Sequence, residues 1–426
     1  MILRARVVLP VSSPPIENGA IVLTGNRITW VGRWSELAAA QRLHVSDLGE
    51  RILLPGLINA HCHLDYTDMA GQISRPKVFS DWIKAILALK GGWSYADFAQ
   101  SWLHGAQMLL RHGATTVADV EAVPELIPEM WQATPLRVIS FLEMISLRTH
   151  PALDQQTQSA AQEWGDLPGA AGRVGISPHA PYSTTAGLLR MVARTAQQRD
   201  WRLTTHVAES ETEFEMFMDR RGALFDWLQS QRDMSDCGQV SPVQHLERAG
   251  YLSENLLAVH ANYLWGKDAA TLANRKVSVV HCPRSHAYFG HRPFPCSELT
   301  RAGINLCLGT DSLASTLKTR GQLPELSLFS EMQSLTRDQP DLMAGSILRM
   351  ATMNGAVALG RRGELGELAA DTLADLITVP FSGNLSQAEE AVVHYTGEVA
   401  GAMIDGEWVA RPSDWADERF GNKIIA

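Results

Sequence analysis

The run ILLPGLINAHCHLDYT, residues 52–67, passes from a continuous apolar segment into a cluster of polar side chains. Its apolar half predicts a strand that is buried on both faces, and this strand ends in His61-Cys62-His63. Residues two apart in a strand point to the same side, so His61 and His63 share one side while Cys62 faces the other. A single histidine at a strand end is commonly structural. Further ligands must therefore come from elsewhere in the chain if this is a metal site.

Seven more short apolar runs follow, and segments with helical periodicity separate them. We predict strands at residues 52–60, 115–118, 138–143, 174–177, 203–206, 256–260, 277–281 and 305–308. Eight alternating strand and helix units are typical of an α/β fold of the (β/α)8 TIM-barrel type. In that fold the functional side chains lie at the C-terminal ends of the strands.

Both ends of the chain contain short strands and turns. We predict such strands at residues 4–9, 19–23, 27–31, 374–379, 398–404 and 407–410, with Gly25-Asn26 and Asp405-Gly406 as turns. Two strand-rich segments can pair although they are far apart in the chain. The pattern predicts a small β domain of residues 1–54 and 366–426, and a barrel domain of residues 55–365.

Composition narrows the function classes. The chain has 426 residues, of which 45% are hydrophobic and 19% charged, as is usual for a globular enzyme. A formal net charge of −9 argues against nucleic acid or an anionic membrane as a partner. There is no signal-peptide pattern and no apolar stretch near the roughly 20 residues of a membrane helix. The five cysteines form no CxxC pair. We expect a cytoplasmic protein that acts on a small molecule.

Polar side chains end most of the predicted strands, with histidine at five of the ends and aspartate at a sixth. His61, His63, His206 and Asp311 would form a ligand set of three imidazoles and one carboxylate. This set suits a borderline divalent ion, with zinc as the default and iron or manganese as alternatives. Such an ion acidifies water and makes it a nucleophile. Because residues 173–179 contain no lysine to bridge two metals, we predict one metal ion.

Two further strand ends suggest catalytic groups. Glu209, three residues after His206, is predicted to shuttle protons beside the metal without binding it. His260 would hold the attacking water or polarise the bond that breaks. His281 is either a barrel-interior histidine or a substrate contact. The glutamates at 211, 213 and 215 are predicted to form a charged helix face.

These motifs resemble the amidohydrolase superfamily, and within it the mononuclear aminohydrolases that deaminate purine-type rings. The similarity spans nearly the whole chain and includes LPGLINAHCHL, HAPYS, HVAE, VHAN, HCPRS, LGTDS, ATMNGAVALG and ADLITV. It implies the same (β/α)8 barrel, with a small β-sandwich domain made from both chain ends, and the same metal ligands. It also implies that Glu209 is the acid and base, that His260 supports the site, and that Asp311 orients the nucleophile while it remains a ligand.

The substrate implied by the resemblance is an adenosine derivative modified at the 5′ position, such as methylthioadenosine, S-adenosylhomocysteine or 6-amino-6-deoxyfutalosine. In relatives an acidic residue of the segment VFSDWIKAI, residues 78–86 here, binds ribose beside a tryptophan, which suggests Asp81 and Trp82. The alternative is a plain helix start capped by Ser80. His179 would face the substrate. Arg148 would hold a 5′ carboxylate or lie on the surface.

Three alternatives remain open. HCPRSHAYFGHRPFP, residues 281–295, is similar to aminodeoxyfutalosine deaminases, so His286 and Arg292 would line the pocket rim or lie in a loop away from substrate. The same metal site would also suit hydrolysis of a free base such as guanine or cytosine, or of a chlorotriazine-like ring. A homodimer is common in this family, and no sequence feature demonstrates one here.

Overall fold

The computed structural model describes residues 1–38, 45–148, 159, 162–318 and 323–410. The strands are β1 Ile2–Val8, β2 Ile16–Thr24, β3 Arg27–Arg33, β4 Val45–Asp47, β5 Arg51–Pro55, β6 Leu57–Cys62, β7 Ala114–Glu121, β8 Arg137–Met144, β9 Val174–Pro178, β10 Arg202–Val207, β11 Leu256–His260, β12 Ser278–His281, β13 Leu306–Leu308, β14 Leu376–Pro380, β15 Gly401–Ile404 and β16 Glu407–Ala410. The predicted terminal domain includes residues 39–44 and 411–426, which lie outside the described residues.

Helices separate the central strands. The α-helices are α1 Phe79–Lys90, α2 Tyr95–Arg111, α3 Ile127–Ala133, α4 Ala186–Arg199, α5 Glu211–Asp219, α6 Ala223–Leu228, α7 Pro242–Arg248, α8 Asp268–Asn274, α9 Pro283–Phe289, α10 Cys296–Arg301, α11 Leu328–Asp338, α12 Ala344–Met350, α13 Met353–Ala358 and α14 Ala388–Val393. Several of the longer ones begin at a side-chain cap, such as Ser94 before α2 and Thr185 before α4. None of the helices in the described residues has both the length and the apolar character needed to cross a membrane.

Strands β6 to β13 form one parallel sheet in sequence order. This arrangement confirms the predicted α/β barrel, and the observed strands differ from the predicted ones mainly at their ends. Apolar side chains from around the sheet, among them Ile58, Val120, Phe141 and Val259, form one buried cluster. A larger cluster packs helices such as α2 and α4 against the strands, with Trp102 and Leu189 fully buried. Burial of this kind of surface stabilises the fold by about 25 cal/mol per Å².

The barrel closes where the chain after β13 meets β6. The backbone N–H groups of Thr310 and Asp311 both donate to the His61 carbonyl, at 3.0 and 3.1 Å. Cys62 and Asp311 form an isolated parallel bridge. Gly309 makes this approach possible, because a Cβ there would lie 2.8 Å from the His61 carbonyl oxygen. The seam of the barrel therefore runs through His61 and Asp311, two of the predicted ligands.

The two ends of the chain build a second, mixed sheet in the order β16-β15-β14-β5-β1-β2-β3, with β4 paired to β1. The edge strand β3 approaches the chain before β14, since Arg27 bridges Leu373, three residues before that strand. The curled sheet encloses its own core, which includes Leu3, Ile21 and Met403. The prediction of a small β unit from both termini is confirmed.

The predicted single strand at residues 52–60 is wrong in one respect, because it is two strands in two different sheets. Strand β5 pairs with β14 in the terminal sheet, whereas β6 pairs with β7 in the barrel. The break falls at Pro55-Gly56. A Cβ on Gly56 would lie 2.0 Å from the Thr115 hydroxyl, so only glycine allows the chain to turn between the sheets there.

Candidate metal centre and active site

Three imidazoles meet at the C-terminal ends of β6 and β10. The ligand nitrogens of His61, His63 and His206 lie within 4.8 Å of one another, and all three residues are buried. The Nε2 atoms of His63 and His206 are 3.4 Å apart. The ring of His61 stands at 89° to that of His63 and at 84° to that of His206. The nitrogens thus converge on one point from different directions.

The surroundings of His63 and His206 keep these two rings neutral. The Nδ1 of His206 lies 2.8 Å from the His179 carbonyl oxygen. A carbonyl only accepts hydrogen bonds, so Nδ1 carries the proton and Nε2 keeps a lone pair for a ligand bond. Burial, with smaller contributions from neighbouring imidazoles, lowers the pKa of His206 to about 3 and that of His63 well below its ordinary value. Neutral imidazole is the form that binds metal ions.

Asp311 supplies the negative charge beside the histidines. Its Oδ1 lies 3.7 Å from His61 Nε2 and 3.8 Å from His63 Nε2. Its Oδ2 accepts hydrogen bonds from the hydroxyls of Ser285, at 2.6 Å, and Ser315, at 3.1 Å. Burial alone would raise the pKa of Asp311, but contact with His61 and the field of the surrounding imidazoles hold it well below its ordinary value. Asp311 is therefore ionised.

This donor set fits a divalent metal ion. Three imidazoles and one carboxylate match the ligand types that zinc, iron and manganese accept. The Nε2 of His61 is buried and has no hydrogen-bond partner among the described residues. A buried polar atom without a partner costs about 1–3 kcal/mol, and a ligand bond would remove that cost.

Glu209 and His260 lie next to this cluster. The Oε1 of Glu209 is 3.6 Å from His260 Nε2, and both side chains are buried. Burial, followed by the charges of Asp311 and Glu213, raises the pKa of Glu209 well above its ordinary value. A raised pKa suits a carboxyl that takes up and releases a proton near neutral pH.

The backbone at these strand ends adopts an uncommon conformation. His260 has φ of 74° and Asp311 of 55°, and Ala208, next to Glu209, has φ of 50°. These are left-handed values in non-glycine residues, and each costs of order 1–3 kcal/mol unless the surrounding structure enforces it. Strained residues of this kind are concentrated at functional sites. Their backbone conformation gives the side chain a direction that a regular strand end would not give it.

Glu213 fixes the segment that carries Glu209. Its carboxylate accepts hydrogen bonds from the N–H groups of Ala208, at 3.1 Å, and Glu209, at 2.8 Å. On the other side, the Asn262 amide donates to the Glu209 carbonyl at 2.9 Å. The prediction of a charged glutamate face on α5 does not hold for Glu213, which is fully buried. Its carboxylate oxygens accept the hydrogen bonds of the turn before the helix, so the side chain points into the protein.

A cavity of about 200 Å³ opens onto three of the four predicted metal ligands, His63, His206 and Asp311. Its metal end is formed by His63, His206, Glu209 and Asp311. Most of the remaining wall is apolar or aromatic, and it consists of Tyr66, Phe79, Trp82, Ile83, Ile86, Leu87, Ile145, Leu147, Tyr182, Trp227 and Leu228. Polar side chains enter the rest of the wall from His179, Ser183, Lys90, Glu143, Gln231 and Ser312. A flat, largely apolar ring would fit between the aromatic wall and the metal end.

Comparison with known proteins agrees with this geometry. Residues 52–409 match the Amidohydrolase family. The chain belongs to the amidohydrolase family. It is 31% identical over 383 residues to a 5-methylthioadenosine/S-adenosylhomocysteine deaminase of Syntrophobacter fumaroxidans, which covers 86% of this chain and 80% of that one.

Solved structures share the fold of this amidohydrolase. The aminofutalosine deaminase of Helicobacter pylori, solved with methylthio-coformycin, has a TM-score of 0.86 at 20% identity and covers 96% of this chain and 99% of its own. An adenosine deaminase of Xanthomonas campestris, solved with bound zinc, has a TM-score of 0.79 at 24% identity over 96% and 93% of the two chains. The predicted family and enzyme class are confirmed: this is a hydrolase of non-peptide carbon–nitrogen bonds, of the deaminase type.

Two of the four predicted substrate contacts of this amidohydrolase line the cavity. His179 does so, and its Nδ1 lies 2.7 Å from the Ser183 hydroxyl. Trp82 lines it as well, and its indole N–H donates to the Ala314 carbonyl at 3.4 Å.

The structure does not bring Asp81 and Arg148 into the cavity. Successive helix residues are turned by about 100°, so α1 directs Trp82 inward and Asp81 toward solvent. There the Asp81 carboxylate pairs with Lys84 at 3.2 Å. The Arg148 guanidinium is exposed and donates to the carbonyls of Ser230 and Gln231, at 2.9 and 2.8 Å. It therefore holds the chain after α6 and has no part in the cavity wall.

His281, His286 and Arg292 lie outside the cavity wall. His281 is buried and stacks on Phe294 with ring centroids 3.8 Å apart. Of the two predicted roles, barrel-interior histidine or substrate contact, the structure therefore favours the barrel-interior histidine. His286 is also buried, and its Nδ1 lies 3.1 Å from the side-chain oxygen of Asn262. The Asn262 amide in turn donates to the Glu209 carbonyl. Arg292 is exposed and pairs with Glu211. None of these three residues lines the described cavity.

Sequence reasoning missed several wall residues. Helical spacing along α1 places four of them on the same face as the predicted Trp82, namely Phe79, Ile83, Ile86 and Lys90. This inward face could have been predicted from Trp82. Glu143 was missed although it ends the predicted strand 138–143, where functional side chains are expected, whereas Trp227 carried no such signal. They come from β8 and α6, and only the folded barrel brings those elements to the same mouth.

Proposed function

We propose that this amidohydrolase is a metal-dependent deaminase that releases ammonia from a 6-aminopurine nucleoside derivative. The observation that carries the proposal is the position of Glu209. Its carboxyl lines the same cavity as His63, His206 and Asp311 and lies 3.6 Å from His260. The nucleoside class is supported by the relative from Syntrophobacter fumaroxidans, named for 5-methylthioadenosine and S-adenosylhomocysteine, and by the apolar cavity wall.

Each residue has a defined task. His61, His63, His206 and Asp311 would hold one divalent ion, with zinc, iron and manganese as the candidates. When bound, the ion supplies the Lewis acidity that makes water nucleophilic at neutral pH. Glu209 would accept one proton of the attacking water and pass it to the ring nitrogen, and it would then transfer the remaining hydroxyl proton to the amine, which leaves as ammonia. His260, facing Glu209, would hold the water or polarise the carbon under attack.

The cavity wall would position the substrate and exclude water from the reacting groups. Trp82 and Phe79 are stacked on each other, with ring centroids 6.2 Å apart, and offer a flat apolar surface. Tyr66 lies parallel to the His63 ring at 5.3 Å, so it braces one ligand while lining the cavity. Exclusion of water from such a site strengthens its electrostatic interactions.

Ammonia release from metal-replete protein tests the proposal. The panel would contain adenosine, methylthioadenosine, S-adenosylhomocysteine, aminodeoxyfutalosine, guanine, cytosine and a chlorotriazine. We expect release from an adenosine derivative, and Glu209→Gln should lower kcat by about 10²–10⁴-fold while metal content stays unchanged. Chloride release, or ammonia from free bases alone, would contradict the nucleoside assignment. Equal activity of Glu209→Gln would contradict the catalytic one.

A further inference from the structure

The main chain of Glu209 is held from both sides by buried side chains. Its N–H donates to the Glu213 carboxylate at 2.8 Å, and its carbonyl accepts from the Asn262 amide at 2.9 Å. The preceding residue, Ala208, has a φ of 50°, an unfavourable value that persists only where neighbouring groups enforce it. These two hydrogen bonds therefore fix the direction in which the Glu209 side chain leaves the backbone.

The bond from Asn262 requires one of the two possible orientations of its amide. A carbonyl oxygen only accepts hydrogen bonds, so the Nδ2 group of Asn262 faces Glu209. The Oδ1 atom then faces His286, whose Nδ1 lies 3.1 Å away. An amide oxygen also only accepts, so the proton of His286 lies on Nδ1. The polarity of the whole chain is thereby determined: His286 donates to Asn262, and Asn262 donates to Glu209.

Burial makes this polarity hard to replace. His286 is 8% exposed and Asn262 is 5% exposed, so solvent has little access to either side chain. Burial lowers the pKa of His286 to about 4, and at neutral pH the ring therefore carries one proton. A rotated Asn262 amide would place its oxygen against the Glu209 carbonyl, and two buried acceptors facing each other are unfavourable.

We propose that His286 is a positioning residue for deamination. By donating to Asn262 it keeps the amide turned toward the Glu209 carbonyl, and so it aims the carboxyl that transfers protons. The inference rests on the proposed function, in which Glu209 has that task. Because His286 does not line the cavity, its loss should lower kcat more than it raises KM.

Two substitutions at His286 separate hydrogen bonding from packing. Asn and His both carry a nitrogen bonded to Cγ, so His286→Asn keeps a donor toward Asn262, whereas His286→Leu removes it and fills the space. With the adenosine derivative that wild type deaminates best, we expect His286→Leu to lower kcat by about 10- to 100-fold, with KM and metal content within about twofold. His286→Asn should keep at least about a third of kcat. A packing role alone predicts the reverse order, because Asn buries a polar amide and leaves a void.

His281 provides the matched control. It is buried, stacks on Phe294, and its Nδ1 has no hydrogen-bond partner among the described residues. We expect His281→Leu to retain at least as much kcat as His281→Asn. A preference for Asn at both positions would overturn the proposal, because the ranking would then not depend on the contact with Asn262.

A double variant tests whether His286 acts through Asn262. Once Asn262→Ala has removed the amide, His286→Leu should add less than about twofold to the loss of kcat. Losses that multiply would overturn the proposed path. Thermal unfolding establishes that each variant is folded. If His286→Leu does not fold, Asn262→Asp supplies the test, because a carboxylate accepts from His286 but cannot donate to the Glu209 carbonyl. Its kcat should fall to the same extent, and an unchanged kcat would overturn the proposal.

The outcomes separate the two proposals. Active wild type, a Glu209→Gln variant that has lost activity and a folded His286→Leu variant with wild-type kcat would overturn the positioning role and leave deamination intact. If wild-type protein, loaded with metal, deaminates no nucleoside in the panel, the proposed function fails and this assignment fails with it.

Discussion

At the scale of single residues, the candidate metal centre depends on side chains that hold its ligands in place. Asp311 accepts hydrogen bonds from two serine hydroxyls, and His206 is oriented by the His179 carbonyl. Partners of this kind fix the protonation state and the direction of a ligand. None of them could be singled out from sequence, because serine and backbone groups carry no distinctive pattern.

Removal of the Ser285 hydroxyl should weaken metal binding. Its hydrogen bond to Asp311 is the shorter of the two serine contacts, at 2.6 Å. We expect Ser285→Ala to lower metal affinity by about 10–100-fold, measured by competition with a chelator. Ser334→Ala, at another buried serine, is the control. Unchanged affinity in a Ser285→Ala, Ser315→Ala double variant would show that these hydroxyls do not support the ligand.

At the scale of secondary-structure elements, the ends of parallel strands determine the site. Strands β6 and β10 deliver three imidazoles, and the chain after β13 delivers Asp311. Period-two alternation and the barrel pattern were enough to predict that these ends converge. The inward face of α1 was only half predicted, since Trp82 and Asp81 are neighbours in sequence but point in different directions on a helix.

The barrel seam should be sensitive to the smallest added side chain. A Cβ on Gly309 would lie 2.8 Å from the His61 carbonyl oxygen, which accepts the hydrogen bonds that close the barrel. We expect Gly309→Ala to reduce the free energy of unfolding by about 1–3 kcal/mol and to weaken metal binding. Urea unfolding and chelator competition measure the two effects. Gly91→Ala is the control, because a Cβ at Gly91 has room and the backbone φ there is ordinary. Gly303→Ala would not serve, because the φ of 77° at Gly303 strains any residue other than glycine.

Helix α7 should make the fold sensitive to acid. Its His245 is buried against Phe217, with ring centroids 4.8 Å apart, and burial lowers its pKa to about 4 despite the attraction of Asp236. The unfolded state, with a pKa of about 6.5, binds the extra proton more readily between pH 6.5 and 4, so stability falls as pH falls through that range.

The expected contribution of His245 is a loss of about 2 kcal/mol in the free energy of unfolding between pH 7 and pH 5. His245→Leu removes the titrating group and should flatten the pH dependence by that amount. Chemical unfolding curves of both proteins at the two pH values measure the difference. Parallel curves for wild type and variant would show that His245 is not the group responsible.

At the scale of the whole molecule, a metal ion held by the predicted ligands would couple to the fold, because these ligands come from opposite sides of the seam. Bound metal stabilises the native state by RT ln(1 + [M]/Kd), about 2.7 kcal/mol at a hundred times Kd. Dialysis against a chelator should therefore lower Tm, and zinc, iron or manganese should restore it to different extents. Calorimetry with metal analysis follows both. A Tm independent of metal would contradict a site built from His61, His63, His206 and Asp311.

The sequence by itself determined the barrel, the terminal β unit and the histidine and aspartate cluster. These rest on local patterns: apolar runs of strand length, polar residues at their ends, and HxH spacing in one strand. The tertiary structure decided which further side chains reach the cavity. Glu143, Lys90 and Trp227 meet there from three distant elements, while Asp81 and Arg148 turn away. Local pattern specifies which elements form, but the direction of a side chain at a cavity depends on how the elements pack together.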